Sequence, residues 1–157
     1  MSTTIEAGHF TSALYGLLDE TFDNVQGYYL DRGTSFFETL ATISADEASI
    51  PVGGKCATLA AQVAHVTYYL DVLERYVVHN DTSPADWGEV WRTVSGVTSK
   101  EWETSKAKLR DAYQRIMTLF KTNPVWNETT MGGAMAIVAH SAYHLGEIRQ
   151  ALCTLKK

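Results

Sequence analysis

His140 and His144 stand four residues apart in a stretch of helical periodicity, so their imidazoles share one face and lie close enough to chelate a single ion. That face also carries Ile137, Ile148 and Ala151, and therefore points inward. Two imidazoles in an apolar stripe are costly to bury unless they are hydrogen-bonded, paired or metallated. His65 sits mid-helix in a separate periodic stretch, with Ala61 and Tyr69 one turn to either side and Val72 and Tyr76 further along, and presents a third imidazole to the interior. Taken singly, a histidine of this kind is a satisfied core residue; three of them on two helices point to a shared mononuclear site. With no fourth protein ligand, positions stay open for water or substrate, which is the arrangement of a catalytic rather than a structural ion. Imidazole suits zinc, nickel, iron and copper, and affinity order does not choose among them. Three neutral ligands leave the charge of the ion uncompensated, which favours an anionic fourth ligand: hydroxide, thiolate or carboxylate.

The other chemically able residues carry weaker signals. Glu147, seven residues after His140, stays near the histidine face, either as an acceptor beside the ligands and a base, or as a solvent-facing carboxylate near Arg149. Tyr69 and Tyr143 are within reach of the site, but helical tyrosines are ordinarily core or rim residues. His9 belongs to a single ExxH element, where di-iron bundles use two, and His79 reads as a cation at a helix end. Cys56 and Cys153 lie far apart and form no CxxC pair, so buried thiols in a reducing compartment are expected. Trp87, Trp91, Trp102 and Trp126 read as packing and cavity-wall residues. The chain has no GxSxG, HExxH, Walker A or GxGxxG pattern, so hydrolase-elbow, zincin and nucleotide readings lack support.

The elements that must position these residues are all helical. Thr3-x-x-Glu6 reads as a capping box for a helix from about Thr4 to Leu30, carried by Phe10, Leu14, Leu17, Leu18, Thr21, Val25 and Tyr28. A short amphipathic piece with Phe36, Phe37, Leu40 and Ile43 follows, then Ser44-x-x-Glu47 and the turn-prone Pro51 to Gly54. A second long helix runs from Thr58 to about Val78. Thr98-x-x-Glu101 caps a third with Trp102, Leu109, Tyr113, Ile116 and Phe120, ending near Lys121 before Asn123-Pro124. A fourth runs from about Thr130 to Leu155, with Lys156 and Lys157 at the negative end of its dipole. No segment alternates with period two between hairpin turns, so no sheet is expected. Gly53-Gly54 before His65 faintly echoes Gly132-Gly133 before His144, too little for a duplication.

At 157 residues, 45% of them hydrophobic and 20% charged, the chain has the size and composition of one folded domain, residues 1–157. A formal charge of -5 argues against nucleic-acid or anionic-membrane partners. No apolar stretch approaches the ~18 residues of a membrane span, and Met1 to Phe10 lacks the basic start and apolar centre of a signal peptide. A cytoplasmic protein is expected.

The stretch from Gly132-Gly133 through Ala139-His140-Ser141-Ala142-Tyr143-His144-Leu145-Gly146-Glu147-Ile148-Arg149 resembles the C-terminal signature of the DinB-like (YfiT-related) superfamily of bacterial bundle proteins. Phe36-Phe37-Glu38-Thr39-Leu40, Ser44-Ala45-Asp46-Glu47-Ala48, His65 and the Trp87 to Trp102 region match in order, so the similarity covers nearly the whole chain. The resemblance implies a four-helix bundle of up-down-down-up connectivity, with a short extra helix between the first two long ones, that often pairs as a homodimer. It also implies one divalent metal, zinc or nickel with iron or manganese as alternatives, held by His65, His140 and His144. Characterised relatives further imply chemistry on low-molecular-weight thiols: a metal-dependent S-transferase, with a hydrolase using metal-bound water or a non-catalytic, stress-associated metal-binding bundle as alternatives. Glu147 departs from the commonest family wording, where Gln is frequent.

Overall fold

The computed structural model describes residues 6–79, 81–122 and 125–156. Among them are seven α-helices and one 3-10 turn, and no strand: α1 (Ala7–Phe22), α2 (Phe36–Leu40), α3 (Ala45–Ala48), the 3-10 turn Val52–Gly54, α4 (Leu59–His79), α5 (Glu89–Thr93), α6 (Ser99–Thr122) and α7 (Glu128–Leu155). The all-helical expectation holds. Thr3 and Thr4, Asn123-Pro124 and Lys157 lie outside the described residues, so the capping box read at Thr3 is not among the described features.

Apolar periodicity decides the long elements. Leu59, Val63, Val66 and Leu70 form a fully buried ridge on α4, each worth about 1.5–3 kcal/mol against exposure. α4 packs on both α6 and α7, and α1 packs on α7 and touches α6, so the core lies between these four. Phe22 at the end of α1 stacks on Phe36 and Tyr113, with ring centroids 5.4 and 4.6 Å apart, and thereby joins α1 to α2 and α6. Local end signals work as read: Ser44 with Glu47 and Thr98 with Glu101 close reciprocal capping boxes. Trp102 is buried, and its indole N–H donates to the Ile43 carbonyl at 2.8 Å, tying the start of α6 to the connector before α3. The last helix begins at Glu128, two residues before the expected Thr130, and is capped by Asn127, whose side chain accepts from the Thr130 N–H.

Two expectations about elements need correction. The first helix ends at Phe22 rather than Leu30. Glu20, wholly buried, takes four backbone N–H groups on its carboxylate, from Gln26, Tyr28, Tyr29 and Leu30, at 2.6–2.8 Å. Those donors leave helical register to reach it, and the chain folds back over α1. Tyr28 then lies so close that a Cβ on Gly16 would come within 2.7 Å of its hydroxyl, which is why α1 carries a glycine there. The segment between the second and third long helices, read only as polar with two large aromatics, contains the short helix α5. The double glycines are also unlike each other: Gly53 and Gly54 take positive φ in the 3-10 turn, whereas Gly132 and Gly133 are helical, which removes the echo.

Candidate metal centre

His65 from the middle of α4 and His140 and His144 from consecutive turns of α7 converge, each offering a ring nitrogen within 4.8 Å of the others. Their ring centroids lie 4.5 to 5.1 Å apart. The packing of α4 against α7 produces this meeting: Ala61 and Val63 on one helix and Ile137 and Ile148 on the other are buried. His65 and His144 are 7% and 5% exposed, and His140 is half-buried.

Burial pushes the His65 and His140 imidazoles down to about 4, the proximity of His144 adds to the effect, and Glu147 opposes it. His144 is also lowered by burial, against the opposing pull of Glu147. All three rings are therefore neutral at pH 7, the state in which imidazole donates a lone pair to a metal.

Hydrogen bonding divides the nitrogens into two kinds. His144 Nδ1 lies 2.6 Å from the Gln62 side-chain oxygen and 2.9 Å from the Glu147 carboxylate. Two acceptors there fix the Nδ1–H tautomer and leave Nε2 as the free donor. His65 Nδ1 and His140 Nε2, in contrast, are sealed from solvent with no hydrogen-bond partner among the described residues. Buried polar atoms are normally satisfied, so two orphaned ring nitrogens on histidines packed this closely are a fit for a cation. A tetrahedral ion with bonds of about 2.1 Å spaces its nitrogens about 3.4 Å apart, so a spread of 4.8 Å is within reach of small side-chain rotations.

Aromatic residues wall the cluster. Tyr69 stacks on His140 with centroids 3.6 Å apart, Trp91 of α5 covers His65 at 4.4 Å, and Trp87 rests on Tyr68 and Tyr69. The connector from Thr82 to Val97 thus roofs the histidines, held by buried Val90 and by the Val97 N–H on the Ser49 hydroxyl. Tyr143 is a rim residue, 62% exposed, and its hydroxyl is raised in pKa by a hydrogen bond to Glu147.

His65, His140, His144 and Glu147 are brought together as the spacing suggests. Glu147 engages His144 rather than Arg149, whose guanidinium turns to Thr39. His9 pairs with Glu6 in solvent, and His79 is exposed at the last position of α4, both away from the cluster. The cysteine expectation is overturned, since Cys56 and Cys153 are both exposed; Cys56 follows the 3-10 turn at the surface, and Cys153 lies on the outer face of α7. Gln62 is the participant that sequence reading missed. It lies three residues before His65, and that spacing on a helix is the one signal that points to it.

Comparison of the chain with known protein families, with curated proteins and with solved structures finds no match. No helix among the described residues is long and apolar enough to cross a membrane.

Proposed function

We propose that the chain is a DinB-like four-helix bundle of up-down-down-up connectivity that holds one divalent ion, zinc or nickel, through His65, His140 and His144, and uses it to activate a low-molecular-weight thiol for S-transfer. The observation that carries this reading is the pair of sealed, partnerless ring nitrogens on His65 and His140 beside a third imidazole whose tautomer is already fixed. A divalent ion held there supplies a Lewis acid that lowers the pKa of a thiol brought to it. Gln62 and Glu147 hold the His144 ring in place. Glu147, a third exposed and bonded to the Tyr143 hydroxyl, accepts the proton that the nucleophile gives up. Engagement of Glu147 at His144 Nδ1 also speaks against its closing the coordination shell, as a purely structural ion would require. Pairing of two copies belongs to the proposal and is supported by Met131 and Met135, exposed one turn apart on α7.

The test is a thiol-transfer assay run beside an ester-hydrolysis assay, each with metal-stripped and metal-restored protein. Metal-dependent transfer, lost in His144→Ala, supports the proposal. Hydrolysis without thiol transfer assigns the same centre to water activation instead, and neither activity leaves a non-catalytic metal protein.

A further inference from the structure

A cleft of about 550 Å³ opens beside the histidines, between α7 and the start of α4. One wall is a single face of α7, with Tyr143, Gly146, Glu147, Gln150 and Thr154 at three-and-four spacing; the facing wall is mainly apolar, with Val52, Ala57 and Leu59 beside Cys56 and Gln62. Among the described residues Glu147 is the one charged side chain lining this cleft. The nearest cations on or just after α7 turn elsewhere: Arg149 donates to the Thr39 hydroxyl and Lys156 to the Thr42 carbonyl. The cleft ends at Thr154 in the last turn of α7, where free carbonyls add negative potential. At the start of α4 the Thr58 hydroxyl already takes the Ala61 N–H, which blunts that helix end as an anion site.

Gly146 is the second, independent observation. A helix-interior glycine is unfavourable relative to alanine and asks for a reason. Packing gives none, since a Cβ on Gly146 would meet no atom of the described residues within 4 Å, whereas at Gly133 it would touch Val77 at 3.5 Å. What Gly146 does is leave the α7 backbone bare in the wall of the cleft, between Tyr143 and Gln150 and next to Glu147.

We propose that this cleft is a binding site for a small molecule carrying a protonated primary amine on a short apolar stem. The ammonium is received by Glu147, with Tyr143 and Gln150 beside it, and the stem lies against Val52, Leu59 and the bare backbone at Gly146. The site shares Glu147 with the proposed metal centre but needs no ion to receive the amine, so it is tested on the full chain both as purified and after EDTA treatment.

The probes are butylammonium, butanol and butyrate, titrated into isotopically labelled protein while amide resonances are followed by NMR. Butylammonium is expected to move the Gly146, Glu147 and Gln150 resonances and to bind about fivefold more tightly than the other two, the worth of one partly exposed ion pair. Glu147→Gln should erase that preference, and Gly146→Leu should abolish binding of all three probes without lowering the thermal midpoint. Equal affinity for butyrate, a preference that survives Glu147→Gln, or undiminished binding to a folded Gly146→Leu protein would each overturn the proposal. Loss of metal on EDTA treatment with butylammonium binding intact separates this site from the metal centre.

Discussion

His144 has one Nδ1 proton and two acceptors for it, the Gln62 oxygen at 2.6 Å and the Glu147 carboxylate at 2.9 Å, and this redundancy has a measurable consequence. Either acceptor alone keeps the proton on Nδ1 and so keeps Nε2 free for a cation. A neutral hydrogen bond is worth about 1 kcal/mol and one to a carboxylate about 2 kcal/mol; because the two share one proton, Gln62→Leu should weaken metal binding by at most about fivefold and Glu147→Ala by at most about thirtyfold. Removing both leaves a buried N–H unsatisfied and lets the proton move to Nε2, where it competes with the metal. The double variant should therefore lose more than the product of the single losses. A competition titration against a chromophoric zinc chelator gives all four affinities of the cycle. If Gln62→Leu binds zinc as tightly as the parent and the double variant merely matches Glu147→Ala, the tautomer argument is wrong.

Two further outcomes follow from the same structure. Burial raises the Glu20 carboxyl, but four backbone N–H groups overcome that and hold it down to about 2 against 4.5. At about 1.4 kcal/mol per pH unit this is roughly 3 kcal/mol, present above pH 4.5 and lost as the pH falls from there towards 2. Urea unfolding of Glu20→Gln should show a loss of that order at pH 7 and a flatter stability curve between those limits; an unchanged midpoint at pH 7 would refute the role given to Glu20. Trp91 covers His65 while 39% exposed, so Trp91→Ala should cost under ~1 kcal/mol of stability yet speed zinc uptake in stopped-flow measurements. An unchanged uptake rate would mean that the α5 roof does not govern access.

The histidine cluster was legible because a helix makes sequence spacing into geometry. His140 and His144 share a face by their separation, and the apolar residues around His65 fix which way it points. Ser44, Glu47, Thr98 and Glu101 announced helix starts for an equally local reason, since each cap is satisfied within three residues. What escaped the sequence depends on partners further away or on too few residues. The end of α1 is set by Glu20 drawing in donors six to ten residues onward, which periodicity at Thr21, Val25 and Tyr28 disguised as more helix. α5, five residues long, shows no period to detect. Gln62 resembles any polar helical residue until the packing of α4 on α7 brings His144 to its side-chain oxygen. Two widely separated cysteines outside any CxxC pattern are expected to be buried thiols, and only the places of Cys56 after the 3-10 turn and of Cys153 on the outer face of α7 reveal them to be exposed.

Elemental analysis of untagged protein, beside His65→Ala and His140→Ala variants shown to be folded, is the most direct measurement of whether three imidazoles from α4 and α7 serve one cation. The expected result is one divalent ion per wild-type chain and loss of that ion in both variants. A wild-type chain without stoichiometric metal, or full metal content in either variant, would contradict it.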